Sequence, residues 1–347
     1  AINTLKRIWE GYTKKNLEII LSFIDFTKAF DSINRQSIWK VLKYYGLPNQ
    51  IIEAIKVMFT NSQSQITYNC KLSEKFEVKS GILQGDALSP FIFITVLNYA
   101  ISKISDQYGI ETHTNPNQKI ADIEFADDIV LIDDNPEKAL NHLKEMEKKV
   151  EQIGLKINKD KSYFLSNIKE IDKLEELSEM IPKTEKVKYL GSQLTSTMED
   201  ILYRKNLATN AFWKMKKIWN SKNITLKLKL RIFNSTCVAI FLYASETWVL
   251  NPEREKKINS FATTCYRYIL GISKFDKVRN EEIYKKVGQE QLTEKIKRRQ
   301  KNFIMNTLSL QNNDMIKKYL IYYPKKGKRR ESVPKKSKEI RASILIT

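Results

Sequence analysis

The stretch Ile120–Asp133, IADIEFADDIVLID, constrains this chain more than any other. Two runs rich in Ile, Val and Leu flank the adjacent acids Asp127 and Asp128. The pattern predicts two β-strands meeting at a tight turn, with both carboxylates at its tip. Neighbouring like charges repel, so a fold gains nothing from placing them there unless a cation neutralises both. Hard oxygen ligands at such a tip suit Mg²⁺, which takes one or two carboxylates and leaves its other positions to water and phosphate. Asp is also a common turn residue, and a solvated Asp-Asp turn needs no metal. The rest of the chain has to decide between these readings.

The 347 residues leave room for two or three domains with sizeable cores. Sixty Lys and Arg stand against 40 Asp and Glu, a net charge of +20 and a pI near 9.5. Such an excess predicts a polyanionic partner, nucleic acid first and a membrane surface second. The longest apolar stretch, Phe91–Ile101, is too short to span a bilayer and is interrupted by Thr95 and Asn98. There is no signal-peptide pattern. Cys70, Cys237 and Cys265 are widely spaced and odd in number. They form neither a disulfide framework nor a zinc pattern, and they fit a reducing compartment. With only His113 and His142 available, chemistry falls to carboxylates and lysines.

Taken in order, residues 1–18 predict an amphipathic helix with Ile2, Leu5, Ile8, Trp9 and Tyr12 on one side. Ile19–Phe26 has strand length and ends in Asp25, an acid that is costly in a buried strand unless paired or metal-bound. Ser37–Tyr45 and Asn49–Asn61 have helical spacing; Gln65–Asn69 and Lys75–Lys79 suit a pair of strands. Ser80–Pro90, SGILQGDALSP, is a Gly-bearing loop that enters a helix through Ser89 as cap and Pro90. That helix, to about Ile104, is apolar on nearly every face and is expected to be buried. A second helix runs from Asn135-Pro136 to Ile153. Leu155–Ser162 reads as a strand-like fragment and a lysine-bearing turn, Tyr163–Ser166 as a short strand, Ile171–Met180 as a charged helix and Val187–Leu194 as one strand bent at a Gly. Beyond a boundary near 198, helical spacing dominates over Tyr203–Trp219, Leu226–Trp248, Glu253–Leu270 and Gln291–Leu310, with basic and aromatic residues interleaved as in a nucleic-acid clamp. The basic tail 324–347 reads as disordered, a nuclear localisation or phosphate-binding patch.

A strand ending in Asp25, a Gly-Gln-Gly loop over Gly81–Gly85 and a hairpin tip at Asp127-Asp128 can together form a two-metal carboxylate site for phosphoryl or nucleotidyl transfer. In that order, FIDFTKAFDSI (23–33), GILQGDALSPFIF (81–93), FADDIVLI (125–132), GLKINKDKS (154–162) and KYLGSQL (188–194) resemble the polymerase motifs of reverse transcriptases, above all those of non-LTR (LINE-type) retrotransposons. FLYASETWVL (241–250) and CYRYILGI (265–272) extend the resemblance to about residue 310. Any one motif is weak, whereas five in order are specific.

The resemblance implies an α+β fold, a right-hand polymerase palm with an antiparallel sheet and packed helices over 19–198. A remnant of the fingers or a connecting helix would occupy 1–18, and an all-helical thumb and extension 199–323. Asp25 and Asp127 would be the principal ligands of two Mg²⁺ ions, with Mn²⁺ as a substitute. Asp128 would be secondary, because neighbours on an extended chain point to opposite faces. The Phe26 carbonyl would complete a shell. Phe30 would lie beneath the sugar of the incoming dNTP and clash with a 2′-hydroxyl; Asp31 would be structural. Gln84 and Gly85 would meet the nucleotide and template base. One of Lys156, Lys159 and Lys161 would stand near the pyrophosphate. Tyr189, Leu190 and Gly191 would position the primer end. The partners implied are an RNA template, a DNA primer and its RNA–DNA hybrid, in the nucleus or moving between nucleus and cytoplasm.

Members of that family carry an upstream fingers region, and many an endonuclease. Neither is found here, nor is a Cys/His zinc knuckle, so the chain reads as a fragment or a decayed copy with its active-site residues intact. Two rivals stand beside the RNA-directed DNA polymerase: a group II intron-like maturase or viral RNA-copying polymerase, and a remnant that binds nucleic acid without polymerising. Phe30 argues against an RNA product.

Overall fold

The computed structural model describes residues 1–111, 119–170 and 172–310. The centre is a four-stranded antiparallel sheet in the order β10–β1–β9–β8. Its members are β1 (Ile20–Ile24), β8 (Asp122–Phe125), β9 (Asp128–Asp133) and β10 (Tyr163–Ser166). Every residue of β1 is buried because the sheet is covered on both sides. Side chains alternate between the two faces. Ile20 and Ile24 of β1, with Ile129 and Leu131 of β9, enter one core. Leu21 and Phe23, with Val130 and Ile132, enter the other.

The first core is closed by α3 (Arg35–Tyr44), α4 (Asn49–Phe59), α5 (Ser89–Ile101) and α6 (Pro136–Glu151), and a single turn, α2 (Ala29–Ser32), leads into it from β1. The helix α1 (Ile2–Lys14) closes the second with Leu5, Ile8, Trp9 and Tyr12, the face its spacing predicts. Asn135 caps α6 through its side chain, with Pro136 following, as expected. Asp133, at the end of β9, is buried and bonded to His142 Nδ1 at 2.9 Å. Tyr108 stacks on that imidazole at 4.5 Å, so His142 serves the interior; His113 lies outside the described residues.

Several segments depart from expectation, each for a local reason. Gln65–Asn69 and Lys75–Lys79 do not pair as two strands. β2 (Gln63–Ser64) pairs with β5 (Phe76–Glu77), and β3 (Thr67–Tyr68) with β4 (Lys71–Leu72) inside it, because Asn69 and Cys70 both turn left-handed. Helix α5 is not buried all round: Phe91 is 70% and Ile94 45% exposed. Nor does Ser89 cap it; the Asp86 carboxylate accepts from the Leu88 N–H instead. A short hairpin, β6 (Ile110–Glu111) with β7 (Lys119–Ile120), precedes β8. Leu155–Ser162 contributes only an isolated bridge, Ile157 to Phe26. The charged helix is reduced to a 3₁₀ turn and α7 (Glu175–Met180). Val187–Leu194 is a hairpin, β11 (Lys188–Tyr189) and β12 (Ser192–Gln193), since Leu190 and Gly191 both have positive φ.

From Thr197 the described chain is helical: α8 (Thr197–Lys214), α9 (Lys216–Asn220), α10 (Leu226–Phe233), a π-turn over Asn234–Val238, α11 (Ala239–Phe241), α12 (Pro252–Leu270), α13 (Asn280–Val287) and α14 (Leu292–Leu308). They share a third core in which Phe212, Trp219, Phe233, Phe241, Trp248, Phe261 and Tyr266 are packed together. Most aromatics of the supposed clamp are therefore interior. Helix α13 has no counterpart in the sequence reading, and the tail 324–347 lies outside the described residues.

One buried polar joint ties the helical part to the sheet. Asp200 of α8 accepts from Ser192 Oγ (2.8 Å), the Gln193 N–H (2.9 Å), Trp248 Nε1 (2.8 Å) and Lys6 Nζ of α1 (3.2 Å). Lys6 also donates to Ser192 Oγ and to Thr247 Oγ1. Removing one partner leaves a buried charge uncompensated. Lys6→Met should therefore destabilise the protein by about 3–5 kcal/mol in urea unfolding; a loss below about 1 kcal/mol would show that Asp200 is satisfied without it.

Candidate active site

The bonds around β1 fix Asp25 at the backbone. Its N–H donates to the buried Ser162 Oγ (3.0 Å), and its carbonyl accepts from the Asn158 N–H (2.8 Å). Thr27 N–H reaches the Lys156 carbonyl at 2.9 Å. Because Asp25 and Thr27 spend their ladder groups on the 156–158 side, the Phe26 carbonyl between them is directed to the opposite edge, the side of β9. That is where the acidic hairpin lies.

Phe125 and Asp128 form the last pair of the β8–β9 hairpin, leaving Ala126-Asp127 as a two-residue turn. Ala126 sits at φ +56°, a left-handed conformation that a non-glycine residue rarely takes. In the β1–β9 register Ile24 faces Ile129. One step further, the register sets Asp25 opposite Asp128. Directly opposed residues share a face, and alternation puts both on the side of Phe23 and Val130. Burial and then the charges of Asp127 and Asp25 raise the Asp128 carboxyl above the usual carboxylate range. Asp128 thus feels the charges of both other acids at one end of the sheet.

Two tyrosines flank them. Tyr163 stacks on Phe23 at 5.3 Å, and Tyr189 tilts against the same ring at 5.8 Å. Burial, and behind it the negative charge of Asp128, holds both hydroxyls in the neutral form. Tyr189 Oη is buried with no hydrogen-bond partner among the described residues. Leu190 and Gly191 form the tip of the hairpin that Tyr189 anchors.

The carboxylate oxygens of Asp25, Asp127 and Asp128 receive no ion pair among the described residues. Also among them, no three His, Cys, Asp or Glu side chains stand close enough together to hold a metal ion between them. The donor set is nevertheless all hard oxygen and carries unneutralised charge. That fits Mg²⁺, which binds through one or two carboxylates and completes its shell with water and substrate phosphate.

The neighbouring loop is held by backbone. Gly81 N–H donates to the Ile33 carbonyl (2.9 Å) and Ile82 N–H to the Phe30 carbonyl (2.8 Å). A Cβ on Gly81 would meet the Asp31 backbone at 2.7 Å, so the loop needs glycine there. Arg35, which sequence reasoning passed over, ties the Gly81 carbonyl (3.0 Å) to the Phe59 carbonyl (2.9 Å). The Phe30 ring is half-buried and stacked on Phe93 at 4.7 Å. Gln84 is exposed and donates to the Asp31 carboxylate at 3.4 Å; Gly85, also exposed, has φ +92°. Lys159 is paired with Glu147 at 2.9 Å, whereas Lys156 and Lys161 are exposed and form no ion pair among the described residues.

Sequence reasoning also passed over Asp122 and Glu124, two apart on β8 and paired opposite Leu131 and Ile129. They occupy the other face of the sheet, beside a cavity of about 510 Å³ reaching His142 and Tyr108. Burial, then the charge of Asp122 and a hydrogen bond with it, pushes the Glu124 carboxyl from 4.5 to about 7. The period-two acids in IADIEF were the available signal.

Two outcomes follow. A raised folded value means Glu124 contributes stability that is present below its ordinary 4.5 and lost as pH rises through about 7. Glu124→Gln should flatten the fall in melting temperature between pH 4.5 and 7; an unchanged fall would place the titration elsewhere. At pH 7.5, Asp128→Asn should raise the melting temperature without metal and reduce the further rise that Mg²⁺ gives the parent chain. A variant that loses stability, or gains as much from Mg²⁺, would contradict the shared carboxylate site.

The family described as "Reverse transcriptase (RNA-dependent DNA polymerase)" matches residues 2–194, and a domain of unknown function matches 211–243. The retrovirus-related Pol polyprotein of a type-1 retrotransposable element R2 from Popillia japonica is 27% identical over 143 residues, 41% of this chain and 23% of that protein. The corresponding polyprotein of the type-2 element R2DM from Drosophila melanogaster is 27% identical over 193 residues, 50% of this chain and 17% of that protein. The chain thus spans less than a quarter of either relative. A solved structure of apo telomerase from Candida tropicalis covers 78% of this chain, with 45% of its own length aligned, at 13% identity and a TM-score of 0.42. With more than half of its length matched by one family, the chain belongs to the reverse transcriptase family.

Proposed function

We propose that this chain is the palm and thumb portion of an RNA-directed DNA polymerase from a non-LTR retrotransposon, extending a DNA primer along an RNA template with dNTPs. The observation that carries the reading is the strand register that sets Asp25 opposite Asp128, beside Asp127 in the hairpin turn, within a segment matched by the reverse transcriptase family. The similarity to Pol polyproteins of R2 elements supports the non-LTR origin. The net charge of +20 favours a nucleic-acid partner.

In this reading Asp25 and Asp127, with Asp128 on the face of Asp25 and the Phe26 carbonyl beside them, hold two Mg²⁺ ions. Bound there, such ions lower the pKa of the primer 3′-hydroxyl and stabilise charge on the leaving oxygen. The 3′-oxygen attacks the α-phosphorus of the dNTP, the bond to pyrophosphate breaks, and the hydroxyl proton is lost. Phe30, braced by Phe93, lies under the sugar and excludes a 2′-hydroxyl. Gln84, steadied by Asp31, and Gly85 meet the nucleotide and the template base. Lys156 and Lys161 are free to meet the pyrophosphate, whereas Lys159 is engaged by Glu147. Tyr189, Leu190 and Gly191 back the primer end. The helices from Thr197 onward form the thumb that grips the hybrid duplex.

Primer extension on poly(rA)/oligo(dT) with Mg²⁺ and dTTP tests this. The parent chain should extend, and Asp25→Asn and Asp127→Asn should each lose about a thousandfold in rate. Phe30→Ala should ease incorporation of the ribonucleotide by roughly 10–100-fold relative to dTTP. Salt-sensitive duplex binding without extension would instead favour a non-polymerising nucleic-acid binder.

A further inference from the structure

We propose that Arg204 and Tyr243, both from the helical part of the chain, are positioning residues for the primer terminus, acting by clamping the tip of the β11–β12 hairpin. The proposal rests on the polymerase reading in taking that tip to back the primer end.

The geometry begins with the turn. Leu190 and Gly191 both lie at positive φ, +46° and +78°. Their carbonyls fall in the two-residue loop, beyond the Tyr189–Ser192 pair that closes the ladder. Such groups ordinarily turn to water. Here each is taken by a side chain from outside the hairpin. Tyr243 Oη donates to the Leu190 carbonyl at 2.8 Å, and Arg204 Nη2 donates to the Gly191 carbonyl. The two side chains are also bound to each other, since the Arg204 guanidinium carbon lies 4.1 Å from the Tyr243 ring centroid. It also lies 5.7 Å from the Tyr203 ring centroid.

Two further observations show that the clamp is built in. Arg204 is buried, yet no carboxylate lies within ion-pair distance of it among the described residues. A buried guanidinium is usually kept by a carboxylate. This one is kept by a backbone carbonyl and two aromatic rings. A Cβ on Gly191 would come within 3.1 Å of Arg204 Nη2 and 3.7 Å of Tyr243 Cε1. The glycine therefore serves both the turn and the close approach.

The hairpin is consequently held at three levels. Tyr189 roots it in the sheet core against Phe23, on the face that carries Asp25 and Asp128. Asp200 holds Ser192 and Gln193. Arg204 and Tyr243 set the angle of the tip. A tip free to swing misplaces the reacting hydroxyl without weakening duplex binding. A misplacement of about 1 Å costs on the order of 10²-fold in rate.

The test uses the full 347-residue chain and the variants Tyr243→Phe and Arg204→Lys. Tyr243→Phe deletes one hydroxyl and keeps the ring under the guanidinium; Arg204→Lys keeps the charge and loses the planar fork. Three quantities are measured for each: duplex Kd, kcat and KM for dTTP, and photocrosslinking of a primer ending in 4-thiothymidine to the peptide spanning 188–193. The expected result is a fall in kcat of about 10–100-fold and a matching fall in crosslink yield, with KM and Kd unchanged. Unchanged kcat and crosslink in both variants overturn the clamp. So does a loss confined to Kd or KM, which would mark a general duplex grip. Should Tyr243→Phe melt early, Arg204→Lys decides alone. If the parent chain does not extend the primer, the polymerase reading fails by itself and the crosslink judges the clamp: loss in the variants supports it, persistence overturns it. A parent chain with neither extension nor crosslink overturns both.

Discussion

Carboxylates brought together at the end of a sheet repel, and that repulsion sets the terms for the rest of this structure. The Asp25 backbone is held by bonds of its own N–H and carbonyl to Ser162 and Asn158. Asp128 is held by the closing pair of a hairpin whose turn is forced through Ala126 at φ +56°. A left-handed non-glycine residue costs roughly 1–3 kcal/mol, and the raised Asp128 carboxyl is a second cost. Both persist because the sheet behind them is covered on both faces by apolar side chains. Burying those strands supplies the free energy that holds these like charges at one end of the sheet.

The same logic governs how the helical part attaches. The sheet and the helices have separate cores, and an apolar seam alone would let one slide on the other. Lys6, Ser192, Asp200, Thr247 and Trp248 instead meet in a buried polar joint with directional bonds. Hydrogen bonds fix angles in a way that methyl contacts do not. The joint lies one pair below the Leu190–Gly191 tip, so the relation between the helices and the acids is set close to where a primer end would lie.

Much of the sheet was legible because its strands are extreme. A run such as IILSFI has nowhere to go except a doubly covered strand, and an alternating run that ends in Asp-Asp predicts its own hairpin. The N-cap at Asn135 and the buried stripe of α1 follow from spacing alone. Less was legible where a single residue changes the path. Leu190 adopts a positive φ that no leucine advertises, and this makes two strands and a turn of what reads as one bent strand. Ser89 looks like a cap, but it lies inside the first turn, the N-cap is Leu88, and no side chain caps the helix. Helix α5 reads as buried all round because composition cannot say which face meets a neighbour, and Phe91 and Ile94 stay exposed. At the site, the sequence pointed to the three acids, and the register shows which of them share a face. Alternation along one strand gave the expectation of Asp128 as the secondary ligand; the cross-strand register adds that it lies opposite Asp25. Arg35, Arg204 and Tyr243 act through backbone carbonyls of distant segments, and no linear pattern carries that information.

The most direct test of the shared carboxylate centre is to let a bound metal mark its own position. With Fe²⁺ replacing Mg²⁺, ascorbate and peroxide generate radicals that cut the backbone next to the ligands. Cuts are expected at residues 24–26 and 126–129, together, suppressed by excess Mg²⁺ and weakened in Asp128→Asn. Cuts at only one of these segments, cuts elsewhere in the chain, or cutting that Mg²⁺ does not compete away would contradict it.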